Sequence, residues 1–329
     1  MAGGTGADFK VYDNYFQMGL FERLSQNINA FGGPSANTLR LTIKKLVGNF
    51  SYEGLFKEIA NLDSYRDITS IASQSDLKMT QGEFIGVKLN RKIGPVLQTL
   101  DAWKKIGKTQ EEMSFILGQQ AGDAITQSYL HRSIISIDTC LDKLDAGTDT
   151  VVKTDLANNL SYSLLNNGNR LMGDASNQIL CYVMHSKQWH DLVGDSITQK
   201  ITDVASVAIQ KGQPFSLDRT VLVTDDAALI NEDGVSSGVD SYNCLGLVAG
   251  AAEVEQTEDT TQIMTLVDDL ANIAYRFRVE YAFNMNVKGM QYVAATGINP
   301  NDATLGTESS WAKVVTSLKN GPGIKIVTK

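Results

Sequence analysis

Cysteine, proline and histidine are all scarce in this chain of 329 residues, with 3, 5 and 3 copies respectively. Cys140, Cys181 and Cys244 are odd in number and widely separated, which excludes a disulfide framework and reads as reduced thiols buried as small hydrophobes in a cytosolic setting. Long apolar runs are missing, and residues 1–9 (MAGGTGADF) have neither a basic n-region nor an apolar h-region, so neither a signal peptide nor a membrane span is expected. A cationic surplus is missing too. Lys and Arg total 29 against 37 Asp and Glu, a formal charge of −8, so phosphate repels the chain as a whole and a dedicated DNA reader is not expected.

What is present is an ordinary folding composition, 43% hydrophobic and 20% charged, which separates the chain from disordered proteins. Its length fits one elaborated domain or two intimately joined ones. Residues 1–61 read as a glycine-punctuated arm that closes no core of its own and gains order against other surfaces, including neighbouring subunits. Within it Ser35 is a helix N-cap candidate, and Leu39, Ile43, Leu46 and Val47 fall at helical spacing. Ile85, Val87 and Leu89 then alternate with Gly86, Lys88 and Asn90, the two-residue period of a half-exposed strand. Ile68 to Ala72 reads as its weaker partner, with 74–82 (QSDLKMTQG) as the turn of a long hairpin and Pro95 near the exit of the second strand.

A long helix is expected next. Thr109 and Glu112 form a capping box, and Met113, Ile116, Leu117, Gln120, Ala124, Leu130, Ile134, Ile137, Leu141 and Leu144 continue at helical spacing to about Ala146, with Gly147 as the stop. No proline interrupts it, and at about 1.5 Å per residue it makes a rod of roughly 55 Å, a spine across a flattened subunit. From 150 to 260 short strands (Ile179 to Met184, Val221 to Thr224, Leu245 to Ala249) alternate with helical stretches such as Ser186 to Val193, a mixed α+β pattern. Ile273 to Val293 has the aromatic and β-branched composition of a long antiparallel pair turning at Lys288 and Gly289.

Candidate chemistry is thin. Gly107-Lys108-Thr109 resembles the end of a phosphate-binding loop, but Ala102 stands where the upstream glycine is required and Trp103 to Ile106 is too bulky to wrap an anion. Cys181, His185, His190 and Asp191 are ligand and nucleophile types at a spacing that fits neither zinc nor a thiol nucleophile with its base, so structural roles are expected. The carboxylate pairs Asp225-Asp226 and Asp268-Asp269 read as solvated surface. Lys88, Arg91 and Lys92 beside the hairpin strand, and Lys104, Lys105 and Lys108 before the spine, have only Trp103 among them as an aromatic; inter-subunit ion pairing or solubility is expected of them rather than nucleic-acid binding. No catalytic, cofactor or metal-ligating residue is assigned.

The order of parts, with 180–193 (LCYVMHSKQWHDLV), 219–226 (RTVLVTDD), 242–252 (YNCLGLVAGAA), 275–290 (YRFRVEYAFNMNVKGM) and 297–311 (GINPNDATLGTESSW), resembles the Hong-Kong-97-type major capsid protein of tailed bacteriophages. The resemblance covers about residues 60–329. It implies an α+β fold with an N-terminal arm over 1–61, an extended E-loop hairpin and the P-domain spine helix over 62–149, an axial A-domain over 150–262, and P-domain strands with a C-terminal tail over 263–329.

Its functional implication is a homo-oligomeric, non-enzymatic shell of hexamers and pentamers, assembled in the host cytoplasm and ending in the virion capsid around packaged double-stranded DNA that it contacts non-specifically. Scaffolding protein and portal are the implied partners, a cement protein is a further candidate, and no membrane is involved. Candidate inter-subunit contacts are Lys78, Lys88, Arg91 and Lys92; Lys78, Lys88 and Asn90 are of types that crosslink in some relatives, but no acid neighbour is evident and no crosslink is expected. The rival readings are an encapsulin-like nanocompartment, which would carry enzyme cargo in place of DNA, and a soluble hydrolase using Cys181 with His185.

Overall fold

The computed structural model describes residues 37–56, 81–99, 110–145, 150–205, 219–267 and 271–329, with isolated positions at 17–18, 20, 63, 68–69, 77–79, 101 and 105. The largest element is helix α1, Gln110–Leu144, a rod of about 52 Å at 1.5 Å per residue. It forms where no proline breaks the run and where apolar side chains recur every three or four residues, and Ile125, Tyr129, Ile134, Ile137, Leu141 and Leu144 on that stripe are buried. Its C-terminal end is tied down by the Asp145 carboxylate, which accepts from the backbone N–H groups of Val151 (2.9 Å) and Val152 (3.1 Å). The capping position at Thr109 lies outside the described residues.

Two sheets pack on this spine. The first has eight strands: β1 (Leu39–Ile43), β2 (Phe50–Phe56), β3 (Gln81–Thr99), β9 (Ala252–Gln256), β10 (Thr261–Val267), β11 (Ala274–Val287), β12 (Met290–Tyr292) and β13 (Trp311–Lys313). β3 and β11 are its long antiparallel axis, in register from Ala274↔Thr99 to Met285↔Val87 with an irregularity between Phe277 and Val279. The second has six: β4 (Val152–Asp155), β5 (Ile179–Met184), β6 (Thr220–Val223), β7 (Ile230–Ser236), β8 (Val239–Val248) and β14 (Gly323–Thr328).

One core joins α1 to the apolar faces of both sheets, through Val87, Phe283 and Met285 of the first and Val183, Leu245 and Leu247 of the second. A second core closes the other face of the six-stranded sheet, where Ile324, Ile326, Met184 and Cys244 meet Leu164 and Leu165 of α2 (Tyr162–Asn169) and Leu192 of α3 (Ser186–Ala205). The C-terminal tail folds back onto the spine through α4 (Asp302–Leu305), and Trp311 is buried edge-on to Tyr292 while its indole N–H donates to the Leu305 carbonyl at 2.9 Å.

Several expectations change. Leu39–Ile43 is a strand and not a helix, because it pairs in parallel with β9, Leu39 opposite Ala252 and Ile43 opposite Gln256. Tertiary pairing outweighs the helical spacing there. The hairpin partner of β3 is β2, from Phe50↔Val87 to Phe56↔Gln81, while Ile68 sits in a turn and 70–76 lies outside the described residues. Leu39–Ile43 and Phe50–Phe56 of the expected arm are therefore strands of the main sheet, and residues 44–49 connect β1 on one edge to β2 on the other. Lys288 and Gly289 do form the tight turn after β11, with Gly289 at φ +76°, but β12 is short and β11 takes β3 and β10 as its long partners.

Candidate functional site

The candidate contact residues Lys88, Arg91 and Lys92 lie on β3, one of the two long axis strands. At the end of the first sheet β10, β11 and β3 make a three-stranded ribbon in which directly opposed residues share a face. One face buries Phe277 and Val279. The registers Thr261↔Glu280, Ile263↔Arg278, Thr265↔Arg276, Arg276↔Leu97 and Glu280↔Lys92 put Lys92, Leu97, Ile263, Arg276, Arg278 and Glu280 together on the other, where all are exposed. The ribbon thus presents three cations and two aliphatic side chains against one carboxylate, with Arg278 and Glu280 paired to each other.

The four cations singled out in the sequence go to different places. Lys78 and Lys92 are exposed. Lys88 is buried and ion-paired to Glu258. Arg91 is anchored within the chain: its guanidinium donates to Asn299 Oδ1 (2.9 Å) and to the Pro300 carbonyl (2.7 Å) and lies 3.7 Å from Asp302. Beside it an open cleft of about 590 Å³ runs between β3, β11 and Asn299. The exposed arginines Arg276 and Arg278 were not picked out in the sequence; the alternation Tyr275, Phe277, Val279 against Arg276, Arg278, Glu280 carries the signal.

Further along β11 the same face of the main sheet becomes polar and partly buried. Asn284 Nδ2 faces Ser51 Oγ (2.9 Å), Glu255 Oε2 (2.7 Å) and Asn286 Oδ1 (3.1 Å), and Lys44 reaches both Glu53 and Glu255. Gly86 opposes Ser51 across the β2–β3 ladder, and a Cβ there would collide with Asn286 and Ser51.

On the spine, Lys325 of β14 reaches Asp138 and Asp142, and Arg132 Nε lies 3.0 Å from Asp302 of α4. Burial pushes the Asp138 carboxyl up to about 6 against the pull of Lys325. Burial alone would lower Lys325, but the two carboxylates outweigh it and its pKa is raised.

Cys140, Cys181 and Cys244 are all buried free thiols, and burial pushes each thiol pKa up. His185 does not face a reactive thiolate: its Nδ1 accepts from the Lys187 N–H at 3.2 Å and its Nε2 lies 3.5 Å from Asp225. Asp226, expected in solvent, is half-buried and accepts from His131 Nδ1 at 2.7 Å; the contact spans 95 residues of sequence, which is why local reading missed it. Asp268-Asp269 and Gly107-Lys108-Thr109 lie outside the described residues. Among the described residues no group of three or more His, Cys, Asp or Glu is placed to hold a metal ion, and no helix is long and apolar enough to cross a membrane.

The model of a family described as Gp13-like, major capsid protein 13-like, matches residues 8–325. Among solved structures, the capsid of Ralstonia phage GP4 is similar with a TM-score of 0.52 at 12% identity, over 88% of this chain and 87% of that one. A structure of Mycobacterium phage Adephagia gives 0.51 at 8% identity, over 90% and 89%. At such identities the likeness speaks for the fold, which is the Hong-Kong-97-type capsid fold. No curated protein matches.

Proposed function

The chain belongs to the Gp13-like major capsid protein family, and from that premise we propose that it closes an icosahedral shell of hexamers and pentamers around double-stranded DNA. That it is a phage capsid shell protein follows from the family and the fold. The finer statements are that the shell assembles in the host cytoplasm with scaffolding protein, portal and a candidate cement protein, and that the subunit works without catalysis.

The observation that carries the reading is the exposed ribbon face on the β3–β11 axis. Exposed Lys92, Arg276 and Arg278 flanked by Leu97 and Ile263 are poor decoration for a solitary acidic protein and good anchors for an acidic, partly apolar surface on the next copy. The spine supports it physically. A single helix packed on both sheets keeps the body of the subunit rigid from one position in the shell to the next.

Of the four cations named from the sequence, Lys92 and Lys78 remain the contacts available to a neighbour. Lys88 and Arg91 act instead by holding β3 to Glu258 and to the tail at Asn299 and Pro300. The segments play the parts of arm, hairpin with spine, axial domain, and strands with tail over 1–61, 62–149, 150–262 and 263–329, with Leu39–Ile43 and Phe50–Phe56 of the arm doubling as strands of the main sheet.

The test is negative-stain imaging of the overexpressed protein with and without a co-expressed scaffold candidate, followed by nuclease treatment of particles from infected cells. Closed shells holding nuclease-resistant DNA are expected. Shells filled with a protein cargo and no DNA would favour a nanocompartment instead.

A further inference from the structure

The chain has 3 histidines, and two of them grip one dipeptide from opposite sides. Asp225 and Asp226 occupy the connection between β6 and β7 of the six-stranded sheet. Asp225 is largely exposed and faces His185 Nε2 at 3.5 Å at the junction of β5 and α3. Asp226 turns the other way, toward the spine: one oxygen, Oδ1, caps the short helical turn Ala227–Leu229 by accepting from the Ala228 N–H at 2.8 Å and also accepts from His131 Nδ1 at 2.7 Å. A carboxylate can only accept, so the proton on that bond belongs to His131.

We propose that the Asp226 turn is a proton-controlled clasp between the six-stranded sheet and the spine, tight when the His131 imidazole is doubly protonated and slack when it is neutral. The imidazolium adds a full positive charge to a bond whose acceptor is already a carboxylate, so the loss of one proton loosens the contact without removing it. Solvent reaches the pair through an open cleft of about 590 Å³ lined by Gln127, Ser128, His131 and the turn itself.

The surrounding charges set the working range. Asp226 faces His131 directly, Asp302 of α4 stands 4.0 Å from His131 Nε2, Arg132 opposes from the same helix while engaged by Asp302, and Asp225 shares the cleft. The Asp226 bond, with the charges of Asp226 and Asp302 behind it, raises the His131 pKa against the opposing pull of burial and Arg132. For Asp226, burial pushes upward, but the bonds from His131 and Ala228 win and its pKa is lowered. A raised histidine contributes stability below its unfolded pKa of 6.5 that is lost as pH rises through the folded value, and a depressed aspartate contributes stability that is lost only as pH falls below 3.8. The clasp is therefore tight below pH 6.5 and slackens as pH rises above that through the raised folded value.

Its consequence for a shell rests on the capsid reading: the clasp sets how firmly the six-stranded sheet is held on the spine, and so how rigid a body each subunit brings to the shell.

The experiment is hydrogen exchange on the full-length protein, followed on peptides spanning 224–230 at about pH 6 and about pH 8.5 with intrinsic rates corrected, for wild type, His131→Gln and Asp226→Asn. Wild type should lose roughly tenfold protection at Ala228 and Leu229 between the two conditions, the difference between an imidazolium and a neutral imidazole donor on the Asp226 carboxylate. Both variants should be flat across that range. Wild-type protection that does not change, or a pH dependence surviving in His131→Gln, would overturn the clasp. Asp226→Asn keeps the side-chain oxygen that caps Ala228, so it serves if His131→Gln fails to fold. Particle formation is imaged on the same samples: shells with flat exchange would remove the clasp and leave the capsid reading, and pH-dependent exchange without shells would do the reverse.

Discussion

Lys325 Nζ lies 2.9 Å from a carboxylate oxygen of Asp138 and 2.9 Å from one of Asp142, so β14 is pinned to the C-terminal end of the spine. Asn243 of β8 donates to the same Asp138 at 3.2 Å. The cation makes the burial of Asp138 tolerable, and the geometry states what its removal should do.

Lys325→Met should destabilise the subunit by about 2–3 kcal/mol near neutral pH, below the usual cost of breaking a fully buried pair because Asp142 is part-exposed. The sign of the pH effect follows from Asp138, whose folded pKa of about 6 stands above 3.8, so its contribution is present at low pH and lost as pH rises through 6. Without Lys325 that folded value climbs further. The variant's deficit in urea denaturation should be smaller at about pH 5 than at about pH 8. Equal deficits would contradict the assignment.

Ile137 sits on the buried stripe of the spine with 0% of its surface exposed. Ile137→Asp places an unpaired charge in that core and should abolish soluble subunit, while Ile137→Val should cost only about 1 kcal/mol and leave solubility intact. Soluble yield and denaturation midpoints check both, and normal recovery of the aspartate variant would count against the spine.

Two glycines form a matched pair. Gly86→Ala drives a methyl group into Asn286 and Ser51 on the buried polar face and should cost about 1–3 kcal/mol. Gly194→Ala on α3, where an added Cβ meets nothing within 4 Å, should be neutral or stabilising by about 0.5–1 kcal/mol. Thermal melts of the two variants should move in opposite directions or differ by several degrees.

What was legible in the sequence was what local periodicity encodes. Gln110–Leu144 and Ile179–Met184 are such elements, because an unbroken apolar stripe or a short apolar run needs no distant partner to be recognised. Leu39–Ile43 was not, since its spacing satisfies a helix and only β9, more than 200 residues away, makes it a strand. The partner of β3 was missed for the same reason: Phe50–Phe56 is short, contains Gly54 and is defined by its ladder. Among site residues, Lys88 looked like a surface cation because alternation gives its face but not the Glu258 carboxylate that draws it in. Asp226 likewise shows no local sign of its distant histidine.

The exposed ribbon face separates folding from assembly. Reversing Arg276 and Arg278 together to Glu should leave subunit stability within about 0.5 kcal/mol, as expected of surface positions, while lowering the yield of closed shells severalfold. Normal shell yield would move the interface elsewhere.

The most direct test of the central claim is the size and shape of the full-length protein's assemblies under the electron microscope after co-expression with its scaffold. Closed, uniform shells, lost in the Arg276→Glu, Arg278→Glu double variant while its unassembled subunit still melts like wild type, are the predicted result. A protein that stays a small compact particle at every concentration, with or without scaffold, would contradict it.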